Sequence, residues 1–416
     1  MLATLRQRNF ALLWLAGLIS LTGNWMLSVA LPVAVYEMTG SALAVGGMLL
    51  ASTLPGILFS SFAGIYVDRW ERRRTIVVIN LLLAVSILPL LLVRSPEWLW
   101  LVYVVSFVQS ALGKFFTPAE NAMLPLLSDQ KLLVSANALN ALNNNLARLI
   151  GPALGGLVAP LLGLNGVVFI DVVTYVGAAI LTAFINVTSH PGKRDLDAAL
   201  ASRSLLKEWV DGIQLIWRKP NMRILFLLNI PPAIGESVMY VLLVPFVTVV
   251  LQQESFHVGG LMSAQALGGL TGGMLIGWLS LRMKTSRLLG YSALAFGFVD
   301  LALFNYSQFF SGVALAYVLI FLAGPLVVMV GASFHTLIQT EVADSHRGRV
   351  YSTITLTRSS FVLVGIALTG LADEALGIVP VINVQAYAYM LVGIGALLLL
   401  RERAMNHAPI PAENVG

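Results

Sequence analysis

The chain has 416 residues, 58% of them hydrophobic and only 11% charged, where a soluble domain carries about 25% charged residues. That balance excludes a soluble globular protein and predicts an all-α membrane protein. The net charge of +5 does not mark a nucleic-acid partner, because all but three of the 25 Lys and Arg residues fall at positions read as the cytoplasmic side, as the positive-inside rule expects. With no cysteine, disulfide and thiolate chemistry are excluded as well.

A membrane-crossing helix needs about 20 apolar residues. The first run, Phe10–Tyr36, exceeds the roughly 7–15 residues of a signal-peptide core and reads as an uncleaved helix. Leu43–Val67, Thr75–Val93 and Leu99–Phe116 follow, the last entered through Arg94-Ser-Pro96-Glu97. Thr117 through Asn137 is amphipathic and reads as a cytoplasmic connection. Leu139–Leu162 and Val167–Val187 complete a first set of six. Between His190 and Asn221 the apolar rhythm breaks. There Leu205, Leu206, Trp209, Val210, Ile213, Ile216 and Trp217 recur at helical spacing among basic residues, the pattern of an interfacial helix. Ile224–Leu251, Val258–Leu281, Leu288–Tyr306, Phe309–Phe334, Ile354–Leu371 and Val384–Leu400 supply a second six. The expected domains are a six-helix bundle over 1–188, a cytoplasmic linker over 189–222, a second bundle over 223–403 and a tail over 404–416. Twelve crossings put both termini in the cytoplasm. Only Arg94 then falls outside, while Arg148 and Arg358 lie within helices.

Two stretches are more specific than composition. The first is Gly64-Ile-Tyr-Val-Asp68-Arg69-Trp-Glu-Arg72-Arg73-Arg74, a tight arginine loop between the second and third runs. A degenerate copy, Gly277-Trp-Leu-Ser-Leu281-Arg282, stands at the matching place in the second half, with Leu281 where the first copy has Asp68. The second stretch lies in the fifth run: Arg148, then Gly151-Pro152-Ala-Leu-Gly155-Gly156. Its proline removes a backbone hydrogen bond, and its glycines permit close helix packing; an ordinary kinked helix would use the same residues.

The loop and the fifth-run pattern together resemble signatures of the major facilitator superfamily of secondary transporters. Asp68-Arg69-Trp-Glu-Arg72-Arg73 and Thr39-Gly40-Ser41-Ala42-Leu43-Ala44-Val45-Gly46 are similar to the drug-exporter branch that includes macrolide and enterobactin exporters. The resemblance implies twelve transmembrane helices in two six-helix pseudo-repeats, the major facilitator fold, rocking about a midplane site. It implies a monomer in the cell membrane, the inner membrane of a bacterium, exchanging protons for a small amphiphilic substrate. It also implies that Asp68 and Arg72 brace one conformer against helix eleven. No cofactor is expected. No P-loop occurs, Gly331-Ala-Ser333-Phe-His335 is not a nucleophile elbow, and the five histidines have no metal-ligand spacing.

Ionisable groups within the bilayer are costly and mark function by default. Glu236 lies 13 residues past Arg223, about 20 Å along a helix rising 1.5 Å per residue. It is on a cavity-lining helix in the resembling family and is the leading candidate for proton coupling. Asp171 and Asp300 sit nearer the outer ends of peripheral helices, where structural pairing or water contact is expected. Arg148 and Arg358 are intramembrane cations. Arg148 reads equally as a counter-charge that exchanges partners or as a fixed structural pair. Lys114 and Glu37 stand near helix ends, where snorkelling to the interface is the expectation. Asn24 occupies the place after a glycine where the resembling branch often has an acid. Gln109, Gln265 and Arg358 are further cavity candidates. A lysophospholipid flippase or facilitated uniporter is the rival reading, since Thr117-Pro118-Ala119-Glu120 with Ser135-Ala-Asn137 resembles flippases too. A non-transporting receptor on the same fold is the rival from another class.

Overall fold

The computed structural model describes residues 2–67, 70–128, 132–186, 205–310 and 312–400. Asp68, Arg69, the first part of the linker and the 404–416 tail lie outside the described residues. The described residues are helical almost throughout, because a helix satisfies its own backbone where lipid offers no partner. The long helices are α1 (Arg8–Thr39), α2 (Ala42–Val67), α3 (Arg72–Ile87) and α4 (Leu99–Leu127). The run Leu133–Ala183 follows, divided at Gly163 into α5 (133–162) and α6 (164–183). After the linker come α7 (Pro220–Val250), α8 (Phe256–Leu279), α9 (Thr285–Asn305), α10 (Ala314–Glu341), α11 (Asp344–Leu376) and α12 (Ile378–Leu399).

Among the described residues ten stretches are long and apolar enough to cross a membrane, the 51-residue Leu133–Ala183 run counting once. Gly163 breaks that run with φ of 67°, a left-handed conformation open to glycine at little cost. The α8 helix is outside the ten, although its 24 residues suffice in length; seven of them are glycine, which adds little hydropathy.

Two local differences from the sequence expectation have packing causes. The α4 helix runs on to Leu127 through Pro118 and Pro125, where a connection was expected from Thr117. Ala119, Met123, Leu124 and Leu127 bury themselves against Phe10 and Leu13 of α1 and hold the added turns in place. Within the linker, Leu205–Trp217 is helical as expected, but it also docks on protein. Trp209 Nε1 donates to Thr357 Oγ1 of α11 at 3.2 Å, and Ile216 is fully buried.

The N-terminal half (through α6) and the C-terminal half (from α7) meet unequally at the two ends of the bundle. At the arginine-poor end one apolar core contains residues of both halves, with Val29, Val33 and Ala42 packed among Val241, Phe246, Leu261 and Ile366. At the arginine-rich end each half keeps its own core, one around Phe10 and Met123, the other around Met222 and Ile338. The arginine-poor seal includes α5 against α8. A Cβ on Gly259 would lie 2.1 Å from the Pro152 carbonyl oxygen, and one on Gly156 would lie 2.6 Å from that of Phe256. Ser263 Oγ donates to the Leu149 carbonyl at 2.7 Å. Such backbone proximity is how helices gain packing energy where lipid removes the hydrophobic drive to associate. A second seam joins α2 to α11, where Gly370 faces Leu43.

Candidate functional site

The α7 helix is interrupted at Asn229 and restarts with Ile230-Pro231-Pro232. Proline is tolerated in a first helical turn because the missing N–H has no intrahelical partner there. One turn later Glu236 turns into the bundle, its side chain 27% exposed. Arg358 of α11 donates through Nη2 to Glu236 Oε2. The Tyr389 hydroxyl of α12 donates to Oε1 at 2.6 Å. Both carboxylate oxygens are therefore held by donors from two other helices. Tyr389 is itself fixed by Phe296 of α9, ring centroids 4.3 Å apart. One turn before it, Gln385 Nε2 donates to Asp300 Oδ2 at 2.7 Å.

The Glu236–Arg358–Tyr389 cluster separates two cavities. One, of about 340 Å³, lies between the halves and is lined by Glu236, Tyr240, Gln265 and Tyr389 on one side and by Trp25 and Arg148 on the other. The second, of about 280 Å³, lies within the C-terminal half and is lined by Glu236, Arg358, Tyr389, Asn229, His335 and Tyr351. Arg148 stands 6.0 Å from the Trp25 ring centroid, a cation–π distance. Among the described residues no carboxylate pairs with it. The central cavity thus holds a neutralised ion pair facing an uncompensated guanidinium.

The other sequence candidates disperse. Asp171 and Asp300 are buried, at 0% and 2% exposure, rather than in contact with solvent. Asp171 accepts from Thr174 at 3.1 Å and packs against Gly23. Gln109 lines a third cavity, of about 430 Å³, in the N-terminal half, as does Asn24. The Gln109 amide is nevertheless committed, donating to the Leu83 carbonyl and Ser86 Oγ at 3.0 Å each and accepting from Tyr175 at 3.2 Å. In the fifth-run motif, Gly151 and Gly155 press on Trp25 and Met26 of α1, while Pro152 and Gly156 form the α8 seal. In the arginine loop, Gly64 lies in the last turn of α2 and Arg72 begins α3. Arg73 Nη1 donates to the Ile185 carbonyl at 3.0 Å, tying α3 to the end of α6. The expected brace joins Asp68 to Arg72, and Asp68, like Arg69 of the same motif, falls outside the described residues.

Sequence reading missed Tyr389, Gln385 and Trp25, and it did not join Arg358 to Glu236. A usable signal existed. Gly23 faces Asp171, and Gly235 faces Gln385; Gly235 is 212 residues after Gly23, and Gln385 is 214 after Asp171. Gly151 faces Trp25, and Gly365 faces Ser237 at the same offsets. Tyr175 and Tyr389, also 214 apart, bond Gln109 and Glu236 respectively. Aligning α1 with α7 at the 212-residue offset of Gly23 and Gly235 sets Asn24 against Glu236 and so locates the charge in the C-terminal half.

Residues 13–366 match the family model described as Major Facilitator Superfamily. Macrolide efflux protein A of Streptococcus pyogenes is 24% identical over 387 residues, covering 89% of this chain and 90% of that protein. The enterobactin exporter EntS of Escherichia coli O1:K1 / APEC is 26% identical over 407 residues, covering 94% and 91%. Among solved structures, a bacterial homologue of the iron transporter ferroportin in an inward-facing state superposes with a TM-score of 0.72 at 15% identity, over 94% of this chain and 98% of that one. This last likeness concerns the fold alone.

Proposed function

The chain belongs to the Major Facilitator Superfamily, and from that premise we propose that it is a twelve-helix, proton-coupled exporter of amphiphilic small molecules: drugs, macrolides or siderophore-like compounds. Export follows the roles for which the macrolide and enterobactin relatives are named. The count of twelve is reached by dividing Leu133–Ala183 at Gly163 and adding the glycine-rich α8 to the other apolar spans. The repeated glycine contacts support two pseudo-repeats. The arginine-rich end is the cytoplasmic face by the positive-inside rule, in a bacterial inner membrane, and the protein works as a monomer. The sealed end is then the outer face, and the separated halves open inward.

The observation that carries the coupling is the Glu236–Arg358–Tyr389 cluster between two cavities. Ionised Glu236 clamps α7 to α11 and α12. A proton taken up from outside in the outward-open arrangement removes its charge and leaves Arg358 without a counter-ion. That destabilises the sealed arrangement of the helices and favours the alternative one, because a ligand shifts an equilibrium by its differential affinity for the two states. Re-forming the pair in the inward-open state expels the proton. Because both carboxylate oxygens are already held, coupling acts through conformation rather than by direct competition with a cationic substrate.

The test is uptake of a labelled macrolide by proteoliposomes of purified protein, with and without a pH gradient. Gradient-driven accumulation is expected, and Glu236→Gln abolishes the gradient dependence. Equal rates with and without the gradient would replace the antiporter by a uniporter or flippase. No protein-dependent movement for any amphiphile tried would leave the receptor reading.

A further inference from the structure

The largest of the cavities described above does not contain the Glu236 cluster. It lies in the N-terminal half, between α1, α2 and α4, with a volume of about 430 Å³. Its one charged lining residue is Lys114. We infer that this chamber is a second binding site, which takes the acidic group, carboxylate or phosphate, of an amphiphile and holds it against Lys114. The inference rests on the export reading and adds acidic amphiphiles to its substrates.

Three observations carry it. The first is depth. Lys114 is 15 residues past the start of α4 at Leu99, about 22 Å at 1.5 Å per residue. Its stem does not run to the interface, as a snorkelling lysine would. It stops over Gly56 of α2, where the positions of Cε and Nζ are 3.5 and 3.6 Å from that of a Cβ built on the glycine. The second is charge. Among the described residues Lys114 has no carboxylate or carbonyl partner, and no carboxylate lines the chamber. Glu120, farther along α4, points away, toward Gly17 of α1 and Asn143 of α5. The third is the set of donors. Ser110 is one turn before Lys114 on the same face, and Asn24 lines the chamber from α1. Neither has a hydrogen-bond partner among the described residues, whereas Gln109 is fully committed. The chamber therefore offers an ammonium, a hydroxyl and an amide, all uncommitted, beside apolar walls such as Leu27, Met48 and Leu49. An uncompensated intramembrane charge is costly. Arranged this way it suits an anionic, acceptor-rich headgroup followed by an apolar body.

The experiment is calorimetric titration of the purified protein in neutral detergent with 2-naphthoate, 2-naphthyl phosphate and the uncharged isostere 2-naphthamide. At least one of the two acids is expected to bind tenfold or more tightly than the amide, and which one does so identifies the headgroup. Lys114→Gln should erase the preference and Lys114→Arg should keep it. Equal binding of all three by the unmodified protein overturns the proposal without any variant. So does a Lys114→Gln protein that keeps the preference. Acid-selective binding together with no transport in proteoliposomes would leave the chamber standing and sink the exporter reading alone.

Discussion

Substituting Gly259 by alanine tests the seal between the halves. The new Cβ would lie 2.1 Å from the Pro152 carbonyl oxygen and 2.9 Å from the Gly156 nitrogen. Real Cβ atoms essentially never approach within 3.0 Å, so α5 and α8 must separate by about 0.9 Å or more. Both neighbours are backbone, so no rotamer change relieves the clash. Overpacking of this kind costs about 1–3 kcal/mol. The clash exists only while the arginine-poor end is closed, so the cost falls on that state and raises the open population by about 5- to 150-fold. The chain has no cysteine, so Val33→Cys gives a unique thiol inside the core shared by the halves, where Val33 is 5% exposed. Its alkylation by a membrane-impermeant maleimide proceeds through the open state and should accelerate by the same factor in Gly259→Ala. An unchanged rate would show that the α5–α8 contact does not hold the end shut, and the rocking account would lose its pivot.

Two further predictions concern the cluster and the orientation. Glu236→Gln or Arg358→Met alone should lower the melting temperature, each stranding a partly buried partner at roughly 1–3 kcal/mol, below the 3–5 kcal/mol of a fully buried pair because the side chains are 27% and 34% exposed. The double variant should recover part of the loss, and strictly additive losses would mean that the pair is not coupled. A cysteine at Arg72 should label only from the cytoplasm and one at Glu97 only from outside; the reverse pattern would invert the topology.

The fold was largely legible because lipid imposes a coarse code. Apolar runs of sufficient length mark the helices that can cross a membrane, and Gly151 to Gly156 did mark a close contact. Less was readable at the site. Arg358 and Glu236 are 122 residues apart in the chain, and nothing local to either residue announces the other. Tyr389 looks like any interfacial or core aromatic until its hydroxyl is seen on Glu236. Lys114 reads as a snorkelling residue from position alone; only the end point of its stem over Gly56 distinguishes the two. The continuation of α4 past Pro118 was hidden because the packing that sustains it comes from α1, more than 100 residues earlier.

The central claim is that the charge on Glu236 decides which end of the bundle is sealed. Nitroxide labels on Glu97→Cys and Glu374→Cys, one in each half at the arginine-poor end, report that seal as a distance distribution in lipid nanodiscs. The Glu236–Arg358 ion pair stabilises the sealed arrangement while Glu236 carries its charge. Removing that charge in Glu236→Gln should therefore transfer population to a longer distance. A distance distribution in Glu236→Gln identical to that of the unmodified protein would contradict the account and move the coupling to Asp300 or Asp171.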